Sequence, residues 1–302
     1  MTHKIGVDGG GTKTELILVD SAGAIVARHL APGCNPNQTG RDKARTILQE
    51  ALQALCSKLP AGSVQSTLLC MAGNRAFWRE TADGLTGFGK ITTTDDSIPV
   101  LELATNGAPG LVLHAGTGSF VAARAPDGSF HYAGGLGWKF GDPGSGFDLG
   151  RRAIAIALLE LQARVAATTD LSPLAAALCA HTGLADYSAN SFFFYNDATA
   201  NAQMAAFAPR VIELAAQDGS PAQQVLTDSI ADLARLADGV IHRLFPKPAA
   251  QLPCGACGRI LNSAPAAFAL RSLARKLNWP VELRFIDTAP IEGVRRLLGK
   301  IS

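Results

Sequence analysis

Short runs of branched and aromatic residues, broken by glycine, recur along the chain. Ile5-Gly-Val7 and Thr14-Glu-Leu-Ile-Leu-Val-Asp20 flank Gly9-Gly-Gly11. A run that is short, rich in branched residues and closed by Ser21-Ala-Gly23 predicts a strand, not a helix. The glycines therefore fall at the tip of a β-hairpin, and Ala24 to His29 continues as a third strand. The same order returns later. Leu111 to Ala115 reads as a strand, Gly116-Thr-Gly-Ser119 as a tip and Phe120 to Arg124 as the returning strand. Pro126-Asp-Gly-Ser129 is then a turn, and Phe130-His-Tyr132 opens a third strand. Two such meanders predict two related α/β domains.

Helical periodicity fills the intervals. Arg41 to Lys58 sets Ala44, Ile47, Leu48, Ala51, Leu52 and Leu55 on one face. Leu68 to Gly73 and Lys90 to Thr94 read as strands, the second running into Asp95-Asp96. Beyond the second meander the pattern predicts helices over Gly150–Thr168, Ala198–Gln217, Ser220–Phe245 and Ser263–Leu277. Ser220-Pro221 has the form of an N-cap followed by proline at the first helical position. Gln251 to Gly255 reads as a strand entering a glycine turn, Val281 to Ile286 as a last strand and Pro290 to Leu298 as a last helix. Turn residues cluster at Ala104–Pro109. The expected domains are 1–108 and 109–302, with the last helix, 290–300, packing back on the first.

With 302 residues and 47% hydrophobic content the chain can bury a sizeable core, which argues against disorder. A formal net charge of +2 without runs of like charge argues against a nucleic-acid or membrane-surface partner. No apolar segment follows the N-terminus, and the greasiest helical stretch, Ile154 to Val165, is broken by Glu160 and Arg164. A cytoplasmic protein without a membrane span is expected. Its six cysteines are then expected to be reduced. Cys254-Gly-Ala-Cys257 is a lone CxxC. A structural zinc site needs four ligands, so buried, inert thiols are the favoured reading.

The glycine tips carry the chemistry. Gly11 is followed by Thr12 and not Lys13, so the spacing of a P-loop fails. A dinucleotide fingerprint requires a helix where a strand is predicted. A glycine tip nevertheless exposes backbone N–H groups and lets a phosphate approach closely. One such tip is equally well a plain turn. Two, facing each other across a cleft, would hold a polyphosphate from both sides.

Several segments together resemble the N-acetylglucosamine kinase and BadF/BadG/BcrA/BcrD-type ATPase family, within the actin, sugar kinase and Hsp70 superfamily. They are Asp8-Gly-Gly-Gly-Thr-Lys-Thr14, Gly33-Cys-Asn-Pro36, Thr94-Asp-Asp-Ser97, Ala115-Gly-Thr-Gly-Ser119 and Gly134-Gly-Leu-Gly-Trp-Lys-Phe-Gly-Asp-Pro-Gly-Ser-Gly146. Cys254-Gly-Ala256 matches the adenosine segment more loosely. The segments keep the family's order and span nearly the whole chain. The resemblance implies an α/β fold of two actin-like (ribonuclease H-like) domains, each on a mixed five-stranded sheet, flanking a nucleotide cleft. It also implies transfer of the ATP γ-phosphate to the 6-hydroxyl of an amino sugar, N-acetylglucosamine or glucosamine, with ATP and Mg²⁺ as cofactors. A homodimer is expected from relatives.

Phosphoryl transfer needs positioning and charge neutralisation more than covalent help. The resemblance sets Gly10, Gly11, Thr12, Lys13, Gly116, Thr117, Gly118 and Ser119 around the phosphates. Asp8 would hold Mg²⁺ through water, or alternatively fix the hairpin. Asp96 would be the general base at the sugar hydroxyl. An Asp-Asp pair is also an ordinary N-cap, the favoured reading for Asp95. Asn35, Gly135, Leu136, Gly137 and Asp142 would join Asp96 on the sugar, although Asn in such a loop is also a common turn residue. Ala215, Gly255 and Ala256 would line the adenosine pocket.

Two positions depart from the family pattern. Leu136 stands where a Trp is common, with Trp138 two residues on, and Pro143 replaces the Glu that usually follows the loop's Asp. Both lie on the sugar side, which leaves the acceptor open. An ATPase of the radical-dehydratase-activator kind would carry cluster-binding cysteines near Gly144–Gly150, and there are none. A non-catalytic sugar sensor remains a third reading. A DNA-binding sensor would need a helix-turn-helix, for which there is no room before Lys4.

Overall fold

The computed structural model describes residues 2–163, 170–196, 199–217, 219–248 and 250–301. It opens on the hairpin of β1 (His3–Gly9) and β2 (Lys13–Val19), extended antiparallel by β3 (Ile25–Pro32). Helices α1 (Pro36–Thr39) and α2 (Arg41–Cys56) lead to β4 (Val64–Met71), which joins β1 in parallel. Helix α3 (Arg75–Asp83) leads to β5 (Lys90–Asp95), parallel to β4, and α4 (Ser97–Thr105) follows directly. The sheet order is β3-β2-β1-β4-β5.

The second meander is β6 (Gly110–Ala115), β7 (Ser119–Arg124) and β8 (Phe130–Gly134). Helices α5 (Gly146–Ala163), α6 (Pro173–Thr182), α7 (Tyr187–Asn196), α8 (Ala200–Ala215) and α9 (Pro221–Leu244) come next. Then follow β9 (Leu252–Cys257), α10 (Ala264–Lys276), β10 (Val281–Ile286) and α11 (Pro290–Lys300). This sheet has the order β10-β9-β6-β7-β8, with β9 parallel to β6 and to β10. The two sheets are the same topology written twice: an antiparallel meander whose first strand accepts two parallel strands on its far side. The mixed five-stranded sheets expected from the resemblance are both present. By contacts the chain divides into two units, one up to Gly107 together with the segment from Thr288 on, the other from Ala108 to Asp287.

In the first unit the apolar run of β2 is buried on both faces. Leu16 and Leu18 join Ile5 and Val7 against Leu48 and Leu52 of α2 and Phe77 and Trp78 of α3. Ile17 and Val19 join Leu68 and Cys70 against Ile291, Val294 and Leu298 of α11. A strand covered on both faces reads as a continuous apolar run rather than an alternation. The second unit has one large core in which α5, α6, α8 and α9 pack around β6 and β9.

Differences from the predicted elements have local causes. Helix α5 starts at Gly146, ahead of the predicted Gly150, because Ser145 Oγ accepts the Asp148 N–H and so caps an earlier turn. Its predicted end, 164–168, and the predicted start of the α8 helix at 198 lie outside the described residues. Ser220 caps α9 as expected, accepting from the Gln223 N–H at 3.1 Å. Strand β9 runs through Gly255 to Cys257, and the turn comes at Gly258. All six cysteines are free thiols, and burial pushes both Cys254 and Cys257 up to about 12. No described helix is long and apolar enough to cross a membrane.

Trp78 ties the α3 core to the end of β4. Its indole N–H donates to Ala72 O at 2.8 Å, and the Ala72 N–H donates to Gly9 O at 2.8 Å. Trp78→Phe keeps most of the volume but strands a buried carbonyl. It should cost about 1–3 kcal/mol, read as a lower urea midpoint with an unchanged far-UV spectrum.

Candidate functional site

In the first unit three parallel strands end on one edge, and that edge gathers the polar residues. Register aligns Gly9 with Met71 and Met71 with Asp95, so the ends of β1, β4 and β5 lie side by side. Asp8 is one residue inside the end of β1, Asp95 closes β5, and Asp96 is the N-cap residue of α4. Carboxyl ends of parallel strands are where open α/β sheets present ligands.

The three carboxylates divide by their partners. Asp95 Oδ1 accepts from Ser97 N–H at 3.1 Å and Ser97 Oγ–H at 2.5 Å, and Oδ2 takes Arg75 Nε and Nη2 at 3.1 and 2.9 Å. Asp95 is therefore the capping member of the pair. Asp96 makes no side-chain capping bond. Burial raises the proton affinity of Asp96, and the charges of Asp95 and Asp8 and a hydrogen bond shared with Asp95 raise it further. Burial likewise pushes Asp8 up to about 7, against the opposing pull of Lys13. Ionising both would therefore concentrate more negative charge here than the protein itself neutralises.

The first tip lies on the same edge. Gly10 N–H closes the hairpin on Lys13 O at 2.9 Å, and Cys34 N–H donates to Gly10 O at 3.1 Å. Gly33 passes so close that a Cβ there would overlap the Gly11 carbonyl, which only glycine permits. The tip's carbonyls are thus turned inward. Among the described residues, no hydrogen bond uses the N–H of Gly11 or Thr12. Lys13 is exposed and pairs with Glu15 at 3.1 Å. Asn35 Oδ1 caps α1 by accepting from the Asn37 N–H at 3.0 Å, so its acceptor is committed to the turn. Sequence reading missed Gln38, whose side-chain amide lies over Gly11. No pattern in Gly33–Gly40 marks that residue, since it is the fold of α1 that swings it onto the tip.

The second unit presents its own tip. Gly116 N–H bonds Gly118 O at 2.9 Å, while Gly146 and Phe147 at the start of α5 donate to Gly116 O and Thr117 O at 2.8 and 3.3 Å. Again the carbonyls face inward, and Thr117 is exposed at the tip. Ser119 is only 3% exposed, and its hydroxyl donates to Pro143 O at 2.7 Å. That hydroxyl ties the tip to the glycine-rich loop. Asp142 is a brace between the same parts. Its Oδ1 accepts from Gly137 N–H at 3.0 Å and its other oxygen lies beside Gly118. Burial raises its proton affinity, and the Gly137 bond opposes this. Gly135 N–H donates to Ser119 O at 3.0 Å, which leaves Leu136, Trp138 and Phe140 exposed along the loop.

The three residues read for an adenosine pocket are core positions in the structure. Ala215 is 2% exposed within α8, and Ala256 is fully buried within β9, where Gly255 is buried too. Gly255 and Ala256 pair with Val112 and Leu113 of β6 in the middle of the sheet. Their small size makes room for packed helices. The exposed turn of this segment starts at Gly258, beside Ala115 at the end of β6. A glycine after a strand marks a turn at Gly255 and at Gly258 alike, and the strand pairing carries β9 on to Cys257 so that the turn falls at Gly258.

Known proteins share this sequence pattern and fold. The model of the BadF/BadG/BcrA/BcrD ATPase family matches residues 5–271. A solved structure from Chromobacterium violaceum, provisionally named an N-acetylglucosamine kinase, aligns at TM-score 0.77 and 28% identity over 99% of both chains. A ROK family glucokinase from Streptomyces griseus shares the fold at TM-score 0.58, with 17% identity over 97% of both chains. Among curated proteins, the N-acetylmuramic acid/N-acetylglucosamine kinase of Clostridium acetobutylicum is 28% identical over 54% of this chain and 56% of its own. The N-acetyl-D-glucosamine kinase of Dictyostelium discoideum is 31% identical over 48% and 51%. The matches span about half the length of both curated relatives. With the family model covering most of its length, the chain belongs to the BadF/BadG/BcrA/BcrD ATPase family.

Proposed function

We propose that the protein is an ATP-dependent amino-sugar kinase that moves the γ-phosphate to the 6-hydroxyl of N-acetylglucosamine or glucosamine. The observation that carries this reading is the edge of the first unit, where Asp8 and Asp96 stand beside a glycine tip with unspent amides. The names of the curated relatives support the acceptor class. In this reading the amides of Gly11 and Thr12 cradle phosphate in the first unit and those of Thr117 and Gly118 in the second, while Gly10 and Gly116, whose N–H groups close the tips, let the phosphate approach. Lys13 remains available through a weak, exposed ion pair with Glu15. Asp96 accepts the proton of the sugar hydroxyl in its ionised form; burial and the neighbouring carboxylates push it up to about 8, and a cation bound beside it would favour ionisation. Asn35 offers its remaining amide to a sugar hydroxyl, and Gly135, Leu136 and Gly137 bring loop backbone to the sugar.

A divalent cation fits the donor set. Asp8 is an oxygen ligand whose charge is poorly compensated. Among the described residues no group of three or more His, Cys, Asp or Glu could hold an ion alone. That matches Mg²⁺, which keeps several waters and binds through one or two carboxylates plus substrate phosphates. Asp8 would hold it, and the ion would neutralise phosphate charge.

ADP release followed across a panel of hexoses and amino sugars tests the function, and equal turnover with no sugar present would refute it. Asp96→Asn should lower the transfer rate about 10²–10⁴-fold, the range of general-base catalysis, while nucleotide affinity by calorimetry stays the same. Retained turnover would show that Asp96 is not the base.

Asp8 also predicts a pH dependence of stability. Folding raises its proton affinity from the ordinary 3.8 to about 7. Its contribution is therefore fully present below pH 3.8 and is lost as pH rises through about 7. Across that window the melting temperature of the wild type should fall relative to Asp8→Asn, and added Mg²⁺–nucleotide should reverse the loss. Parallel pH curves for the two proteins would refute this.

A further inference from the structure

We propose that the C-terminal helix α11 is a positioning element for Asp96, acting through Gly293 and Lys300; this rests on the reading of Asp96 as the base. Helix α4 has only nine residues, and Asp96 directly precedes it in helical backbone geometry. A tilt or slide of α4 therefore moves that carboxylate. With its own first and last turns α11 meets α4 at two points, Pro99 and Glu102, which lie one turn apart on α4. At the first turn Gly293 lies so close to Pro99 that a Cβ would overlap the Pro99 carbonyl, so the two backbones touch. At the last turn Lys300 Nζ is 2.6 Å from Glu102 Oε1, and the Glu102 side chain is only 2% exposed. A carboxylate buried so deeply needs its cation.

The other face of α11 is anchored to β1. Val294 and Leu298 fill the space over Gly6, where a Cβ would lie 2.7 and 2.9 Å from them. The Lys4 amine donates to the carbonyls of Leu298, at 3.3 Å, and Ile301. One helix is thus fixed to the strand that carries Asp8 and to the helix that begins after Asp96. It acts as a gauge for the spacing of the two carboxylates. Nothing in the chemistry of α11 requires it to touch a substrate.

The test compares wild type with Lys300→Met, Lys300→Arg and Gly293→Ala, using the acceptor found in the panel. Lys300→Met should lower kcat about 10-fold with KM for ATP within about 2-fold, and Lys300→Arg should restore kcat. Gly293→Ala should lose up to about 10²-fold, the cost of a roughly 1 Å misplacement. If Gly293→Ala does not fold, the lysine pair carries the test. In an Asp96→Asn background, Lys300→Met should have no further effect on residual transfer, since the two act as a unit. Unchanged kcat in the folded variants, or effects that simply add, would overturn the proposal. Amide exchange supplies a readout apart from activity: Lys300→Met should speed exchange in Ser97–Leu101 about 10-fold, and unchanged exchange there would also overturn it. If wild type phosphorylates no sugar, the kinase reading fails on its own, and exchange alone decides whether α11 holds α4.

Discussion

Carboxyl groups crowded onto the edge of one sheet are the constraint on which the rest of the first unit depends. Three parallel strands deliver Asp8, Asp95 and Asp96 to neighbouring positions, and parallel pairing leaves them no freedom to separate. Arg75 and Ser97 satisfy Asp95, but Asp8 and Asp96 keep raised proton affinities because burial deprives them of water. Such an arrangement costs stability, and perturbed groups of this kind collect at functional sites. The glycine tip beside them has the complementary deficiency, unspent N–H donors. A ligand that is anionic where it meets the tip and arrives with a cation for the carboxylates would relieve both.

The same tip appears in the second unit on a different support. There the carbonyls of Gly116 and Thr117 are held by the start of α5, whereas in the first unit the Gly33–Cys34 segment does that work. Two local solutions serve one backbone geometry. The rigidity comes from carbonyls bonded behind the tip, so in the proposed reading the amides in front would need no reorganisation to meet an anion.

The strand meanders were readable from their short branched runs and the long helices from their helical spacing, whereas the two five-stranded sheets followed only from the resemblance. The run Leu16 to Val19 is buried on both faces and reads so. Small helices were not readable. Helix α4 begins Ser-Ile-Pro-Val, with no capping bond from the Asp96 side chain, and packs against Gly293 of α11. Asp8 and Asp96 could be picked from motif and spacing, yet nothing local revealed that Asp95 would take the arginine and leave Asp96 exposed to its charge. Small residues misled in the other direction. Ala215, Gly255 and Ala256 have the size of pocket residues and the burial of core residues, and size alone cannot separate the two. Ser119 and Asp142 were read as ligand-binding residues, and nothing local revealed that they brace the second tip against the glycine-rich loop.

The chain's three tryptophans fall in usefully different settings. Trp78 and Trp279 are 1% and 8% exposed, while Trp138 is 46% exposed on the glycine-rich loop. The buried pair should emit as indoles in an apolar medium and the third as one in contact with water. A quencher dissolved in the buffer therefore reaches chiefly Trp138. The loop thereby carries its own optical probe, and a solute that covers it can be followed in the unlabelled protein.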